Sequence, residues 1–157
     1  MASDLSSLLT EGLILDTQNI DSRKRVLQTL ASAIAEKIGA DARDVLDAVL
    51  ERENLGSTGV GDGVAIPHAR LNGISVPIGA FLRLEQGVEF EAIDERPCDL
   101  IFMLLAPHNS GADHLRALAQ VSRTFRNAEL RDALRATATR KEIAEILCPR
   151  NVAADAA

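Results

Sequence analysis

The sequence contains no tryptophan, no tyrosine, four phenylalanines and two cysteines among its 157 residues. We therefore expect a core of mostly aliphatic side chains, with few aromatic platforms on which bases could stack. Cys98 and Cys148 form no CxxC pair, so two reduced, structural thiols are expected. No uninterrupted apolar run approaches the roughly 20 residues of a membrane helix, which argues against insertion into a membrane.

The chain also lacks a surplus of positive charge. It carries 17 Lys and Arg against 23 Asp and Glu, a net charge of −6. Nucleic-acid-binding proteins usually show a concentrated basic face, whereas the late arginines here are interleaved with apolar residues at helical spacing. We expect no nucleic-acid partner. The first residues show no basic stretch followed by an apolar block, so no secretory signal and a cytoplasmic location are expected.

The composition is that of an ordinary globular domain. Apolar residues make up 46% and charged residues 25%, and the length matches one domain. We expect this domain to span residues 1–150. The alanine-rich end, residues 151–157, is expected to be a disordered tail.

Apolar residues spaced by three and four predict two helices in the first third of the chain. The first is expected to begin at Asp21 or Ser22 and to end at Gly39. The second is expected to begin at Asp41 and to end near Arg52. Before them, residues 5–9 predict a helical turn.

Short apolar runs predict strands. They lie at residues 13–15, 64–66, within 74–84, at 88–93 and at 98–105. Pro77 moves the start of the third strand towards Ile78. Residues 98–105 are nearly all apolar, which is typical of a strand buried on both faces.

Three helices are predicted after the last strand. One opens at Ser110 or Asp113 with Leu115, Val121 and Phe125 on its inward face, and two more span residues 129–136 and 141–147. Strands therefore alternate with helices along the chain. We predict an α/β fold, a single-domain sandwich in which helices flank a mixed β-sheet.

Residues 56–63 form a glycine-rich loop that lacks the features of two common phosphate-binding motifs. A Walker A loop requires Gly-Lys before Ser or Thr, whereas Gly63 is followed by Val64. A dinucleotide fingerprint requires strand, glycines and helix, whereas the predicted order here is helix, loop and strand. The glycines are better explained by positive φ angles and close backbone approach.

A histidine follows this loop at the end of a predicted strand. Pro67 has a fixed φ, so His68 emerges in a restricted direction. A neutral imidazole is a nucleophile near pH 7. His114, in the first turn of a later helix, and Arg52 could meet His68 around a phosphoryl group. The spacing alone leaves that convergence open.

Two segments carry a resemblance to a known family. Residues 51–68, ERENLGSTGVGDGVAIPH, resemble the signature of enzyme IIA of the phosphotransferase system (PTS), fructose/mannitol type. Residues 104–107 (LLAP) and 110–115 (SGADHL) resemble the second conserved block of that family. The match covers essentially the whole chain, and the opening region 5–15 is most similar to the nitrogen-regulatory branch.

The resemblance implies a phosphotransferase that needs no cofactor and no metal. It implies these roles: phosphoryl acceptor at Nε2 for His68, charge stabilisation for Arg52, a phosphate hydrogen bond for His114, and a pocket-shaping loop for Ser57, Thr58 and Gly59. The donor would be the phosphohistidine of an HPr-type or NPr-type carrier. The output would be regulation of other proteins or, alternatively, transfer to a IIB domain in sugar transport.

The chain departs from the family pattern beside the histidine. Family members often carry glycine after the active histidine, whereas this chain has Ala69 and then Arg70. We expect Arg70 to face solvent, the alternative being that it adds a positive charge near the phosphate, and we expect His108 to lie in an exposed loop. The expected apolar contacts for the donor are Val60, Leu71, Phe90 and Leu115.

Two readings from other functional classes stay open. The first is a metalloenzyme built on His68, His108 and His114, although the six-residue spacing of the last two is unlike a helical ligand pair. The second is a binding module without phosphoryl chemistry.

Overall fold

The computed structural model describes residues 4–149, with residues 17 and 18 described by their backbone alone. A helical turn forms at the start, where the Leu9 amide donates to the Leu5 carbonyl at 2.9 Å. The strands and helices that follow are β1 (Ile14–Gln18), α1 (Arg23–Ile38), α2 (Ala42–Leu55), β2 (Gly59–Gly61), β3 (Val64–Ala65), β4 (His68–Leu71), β5 (Ile78–Val88), β6 (Cys98–Pro107), α3 (Ala112–Arg126), α4 (Ala128–Ala136) and α5 (Arg140–Leu147).

The strands form one mixed sheet in the order β1-β5-β6-β3-β2, which confirms the predicted fold class. Strand β6 is central and almost wholly buried, as its apolar sequence predicts. It pairs antiparallel with β5 on one edge. On its other edge it pairs parallel with β3 and then with β4, where His68 is opposite Leu104.

The predicted starts of α1 and α2 are confirmed by their caps. The Ser22 hydroxyl accepts from the Arg25 amide, and the Asp41 carboxylate accepts from the Arg43 amide. Gly39 ends α1 in the left-handed region at φ 72°. Helix α2 continues one turn beyond the predicted end, to Leu55.

The strand predicted at residues 88–93 is wrong. Strand β5 starts at Ile78, as predicted, and runs on to Val88 before the chain leaves the sheet. Glu91 has a φ of 55°, which no extended strand allows. Phe90 is fully buried, and its carbonyl accepts from Arg23 Nη1 at 3.2 Å and from the Ser57 hydroxyl. Hydrogen bonds from the side chains of Arg23 and Ser57, and one from the Ile93 amide to the Gly59 carbonyl, hold this segment without a strand ladder.

The predicted start of α3 is wrong, and its predicted inward face fails at Leu115, whereas Val121 and Phe125 on that face are buried as predicted. Gly111 is the N-cap, while the Ser110 hydroxyl donates to the Pro107 carbonyl at 2.8 Å. Leu115 is 63% exposed, and the adjacent His114 takes the buried position. The buried face therefore lies one residue earlier than the apolar pattern indicates at this end of the helix.

Two short strands, β2 and β4, were not predicted. The glycine-rich loop contains β2, which pairs antiparallel with β3 and sets Gly59 opposite Ala65. The second missed strand is β4, so His68 is the first residue of a strand as well as the residue that follows Pro67.

Both cysteines are free and buried, as expected. Burial raises the pKa of each thiol to about 12, which keeps both protonated at neutral pH. No helix within residues 4–149 is both long enough and apolar enough to cross a membrane. The expected tail, residues 151–157, lies outside the described residues.

Candidate functional site

One cleft collects the three predicted site residues. Arg52 comes from the last turn of α2, His68 from the start of β4, and His114 from the first turn of α3. The cleft has a volume of about 370 Å³ and is also lined by Ala48, Glu51, Leu55, Ala69, Arg70 and His108. The convergence that the sequence left open is therefore present in the structure.

The imidazole of His68 is held by its own strand. Its Nδ1 lies 2.8 Å from the carbonyl oxygen of Ile66. A carbonyl only accepts, so Nδ1 carries the proton of the neutral ring. The Pro67 carbonyl in turn accepts from the Leu104 amide at 2.9 Å, which ties this turn to the central strand. The neutral ring therefore has its free lone pair on Nε2.

The charge state of His68 favours nucleophilic attack. Burial lowers the pKa of His68, the hydrogen bond to Ile66 raises it, the charge of Arg52 lowers it and that of Glu53 raises it. The net direction is down from 6.5. The ring is therefore neutral at pH 7 and its lone pair is available.

His114 lies beside His68 with an unused nitrogen. The two rings meet edge to face at a centroid distance of 5.8 Å. His114 is 6% exposed, and its buried Nδ1 has no hydrogen-bond partner among residues 4–149. Burial lowers the pKa of His114, and the charges of His68 and Arg70 lower it further. A buried polar atom without a partner is costly, which makes this nitrogen a candidate for a functional role.

Arg52 supplies a fixed guanidinium. Its Nη1 donates to the carbonyl of Gly56 at 2.9 Å, which holds the side chain at the end of α2. No carboxylate among the described residues lies within ion-pair distance of Arg52. Its remaining N–H groups are therefore free to bind an anion bidentately.

Arg70 and His108 are exposed, as expected, yet both also line the cleft. Arg70 is two residues from His68 on β4, and alternate residues of a strand share one face. Its charge lowers the pKa of His114. Arg70 therefore faces the cleft as well as solvent.

The three loop residues predicted to shape the pocket, Ser57, Thr58 and Gly59, are not among the residues that line the cleft. The Ser57 hydroxyl donates to the carbonyl of Phe90 and accepts from the Gly59 amide at 3.0 Å. The buried Thr58 donates its hydroxyl and its amide to Glu53. Any part they play in the cleft is indirect.

Sequence reasoning missed Glu53. A carboxylate in the last turn of a helix usually faces solvent, yet Glu53 is only 5% exposed. The position of Glu53 was the sequence signal that could have revealed its burial, because a helix dipole disfavours an acid at the C-terminal end. An acid retained there indicates a specific partner.

The predicted apolar rim is partly wrong. Val60 and Leu115 are exposed, and Leu71 is half-buried. Phe90 is fully buried and presents no surface to a partner. Leu55, which was not predicted, is exposed at the cleft.

The metalloenzyme reading gains no support. His68, His108 and His114 line one cleft. Within the described residues, however, no three His, Cys, Asp or Glu side chains are arranged to hold a metal ion.

Comparison with known proteins gives consistent results. A family model described as "Phosphoenolpyruvate-dependent sugar phosphotransferase system, EIIA 2" matches residues 7–148. The chain is 41% identical over 143 residues to the "Nitrogen regulatory protein" of Bradyrhizobium diazoefficiens, covering 91% of this chain and 94% of the relative. It is 34% identical over 146 residues to the "PTS system fructose-specific EIIA component" of Haloferax volcanii, covering 92% and 95%.

A solved structure agrees with the sequence relatives. The nitrogen regulatory protein IIA-Ntr of Neisseria meningitidis superposes with a TM-score of 0.84 at 34% identity, covering 90% of this chain and 97% of that one. The family match spans nearly the whole described chain, including the cleft. The protein therefore belongs to the EIIA type 2 family of the phosphoenolpyruvate-dependent sugar phosphotransferase system.

Proposed function

We propose that this chain carries a phosphoryl group on Nε2 of His68, taken from the phosphohistidine of an HPr-type or NPr-type carrier. The lone pair of Nε2 forms a bond to phosphorus as the nitrogen–phosphorus bond of the donor breaks. The donor imidazole recovers its lone pair. Because one phosphohistidine replaces another, the transfer is readily reversible.

The hydrogen bond between His68 Nδ1 and the Ile66 carbonyl is the observation that carries this proposal. It assigns the proton of the neutral ring to Nδ1 and the nucleophilic lone pair to Nε2. Burial, which lowers the pKa of His68, keeps the ring in this nucleophilic form at pH 7.

Arg52 and His114 would stabilise the group in transit. Phosphoryl transfer asks a protein mainly for positioning and for stabilisation of charge on the phosphoryl oxygens. The Arg52 guanidinium supplies charge, and a ring N–H of His114 supplies a hydrogen bond. Ser57, Thr58 and Gly59 would act indirectly, by fixing the backbone that leads to His68.

The output of this carrier is regulatory in our proposal, because the Bradyrhizobium and Neisseria relatives are both named nitrogen regulatory proteins. A phosphoryl group adds about −1.5 to −2 charges at pH 7. Added between Arg52 and Arg70, that charge changes the surface around exposed Leu55 and Leu115. Partners that touch this surface would then distinguish the two forms. We propose that the protein meets its donor and these partners in the cytoplasm.

The test is phosphorylation of the purified protein by enzyme I, an HPr-type carrier and phosphoenolpyruvate, followed by intact mass. Wild type is expected to gain one acid-labile phosphoryl group, and His68→Ala none. His108→Ala serves as the matched control and is expected to gain the group. Labelling of His68→Ala would contradict the assignment. If donors of proven activity do not label the wild type, the result would favour the alternative of a binding module without phosphoryl chemistry.

A second candidate is the IIA component of a sugar transport system. The Haloferax relative, 34% identical, is named a fructose-specific EIIA component. The same chemistry would serve, with a IIB domain as the next acceptor. Incubation of the phosphorylated chain with purified IIB domains decides between the two: rapid loss of the phosphoryl group to a IIB domain supports transport.

A further inference from the structure

Glu53 is a buried carboxylate near the C-terminal end of a helix, where the helix dipole disfavours negative charge. It is two residues from the C-terminal end of α2. Its side chain is 2% exposed, so it has also lost most of its hydration. Both costs indicate that specific contacts hold this charge in place.

Those contacts come from two directions. Thr58 donates its hydroxyl to one carboxylate oxygen and its amide to the other, the latter at 3.4 Å. Arg23 Nη1 lies 3.7 Å from Glu53 Oε2 and also donates to the carbonyl of Phe90 at 3.2 Å. Glu53 thus joins helix α1 to the loop that follows helix α2.

A chain of hydrogen bonds continues from Thr58 to the phosphoryl acceptor. The Thr58 carbonyl accepts from the Ile66 amide at 3.0 Å. The Ile66 carbonyl accepts from His68 Nδ1 at 2.8 Å. Glu53 therefore holds Thr58 through hydrogen bonds to its hydroxyl and its amide. Thr58 in turn holds Ile66 through the hydrogen bond that its carbonyl accepts. Ile66 in turn fixes the imidazole.

Glu53 also acts through its charge. Burial lowers the pKa of His68, and the negative charge of Glu53 acts against that shift. When Nε2 bonds to phosphorus while Nδ1 keeps its proton, the ring becomes cationic. A fixed carboxylate nearby stabilises that developing charge without reorganisation at the moment of transfer.

We propose that Glu53 and Thr58 are positioning residues that hold the Ile66 carbonyl as the acceptor of His68 Nδ1–H and so make Nε2 the nitrogen that is phosphorylated. This inference rests on the proposed phosphocarrier function. Glu53 adds a stabilising charge to the orientation, whereas Thr58 acts by geometry alone.

The first test reads the tautomer of His68 without any phosphorylation. In protein labelled with ¹⁵N at histidine, NMR shifts distinguish a protonated Nδ1 from a protonated Nε2. Wild type is expected to carry the proton on Nδ1. Glu53→Gln and Thr58→Val are expected to populate both tautomers, and Glu53→Gln to lower the pKa of His68 further. Asp47→Asn, an exposed acid on the same helix, is expected to change neither.

The second test measures single-turnover transfer from the phosphorylated carrier. Glu53→Gln and Thr58→Val are expected to slow transfer on the order of tenfold, as misplacement of a reacting group does. Their affinity for the donor is expected to stay unchanged, since both residues are buried. Thr58→Ser keeps the hydroxyl and is expected to recover the wild-type rate. That rescue separates positioning from a general loss of folding.

The outcomes separate the two proposals. Variants that keep the tautomer, the pKa and the rate of wild type would overturn the positioning role and leave the phosphocarrier function intact. A wild type that proven donors cannot phosphorylate would overturn the phosphocarrier function. In that case the tautomer comparison still decides whether Glu53 and Thr58 orient His68.

Discussion

The rings of His68 and His114 meet edge to face, with centroids 5.8 Å apart and planes inclined by 62°. Two imidazoles this close resist being charged together. Burial lowers the pKa of each, and the charge of His68 lowers the pKa of His114 further. The cleft therefore holds two neutral rings at pH 7, which in our proposal serve as the nucleophile and as its hydrogen-bonding partner.

Acid is expected to destabilise the protein through these two rings. Both folded pKa values lie below 6.5, so the unfolded chain binds more protons as the pH falls below that value. The contribution of these two rings to the free energy of unfolding is therefore largest above pH 6.5 and decreases as the pH falls from 6.5 towards the folded pKa values. Urea unfolding of wild type and of a His68→Gln, His114→Gln double variant measures the difference. A difference that stays constant from pH 7.5 to 5 would contradict the expected loss of stability in acid.

Arg52→Ala is expected to slow transfer to His68 by about 100-fold, the size of effect seen when one group that stabilises transition-state charge is removed. Arg52→Lys keeps the charge but loses the planar fork, so an intermediate rate is expected. Single-turnover transfer from the phosphorylated carrier measures both. Arg123→Ala removes an exposed charge from α3, outside the cleft lining, and is expected to leave the rate unchanged. Equal transfer rates for Arg52→Ala and Arg123→Ala would contradict a role for Arg52 in stabilising the phosphoryl group.

Arg70→Ala is expected to raise the pKa of His114, because the charge of Arg70 lowers it in the wild-type protein. The expected effect on transfer is smaller than that of Arg52→Ala, since Arg70 is exposed and its charge is screened by solvent. An NMR titration of His114 reports the pKa directly. An unchanged pKa of His114 would contradict this effect and would mean that Arg70 only faces solvent, as the sequence predicts.

Gly59→Ala is expected to destabilise the fold by about 1–3 kcal/mol, the usual cost of overpacking. An added Cβ would lie 2.7 Å from the Cβ of Ala92 and 2.9 Å from its Cα, so the loop or the segment after β5 must shift. Gly12→Ala is the matched control, since nothing lies within 4 Å of its added Cβ. Urea unfolding gives both values. Comparable losses in the two variants would show that close packing at Gly59 is not the cause.

Local signals predicted the parts of the fold that depend on neighbouring residues. Ser22 and Asp41 cap helices as their side chains allow, and Pro77 sets the start of β5 at Ile78. The apolar run of β6 predicted its central, buried place in the sheet. His68 was singled out because Pro67 restricts its direction.

The failures have one physical cause, which is that long-range contacts override local pattern. Phe90 looked like an alternate residue of a strand, but its carbonyl accepts a hydrogen bond from Arg23 of helix α1. Leu115 looked inward-facing, but the cleft takes His114 instead. Glu53 was not singled out from the sequence, because its partner Thr58 belongs to a loop whose conformation the sequence did not reveal.

The most direct test of the central claim is an NMR measurement of the phosphorylated protein labelled with ¹⁵N at histidine. Coupling between phosphorus and nitrogen identifies the nitrogen that holds the phosphoryl group. We expect the coupling at Nε2 of His68, with Nδ1 still protonated against the Ile66 carbonyl. Coupling at Nδ1 of His68, or at either nitrogen of His114 or His108, would contradict the account.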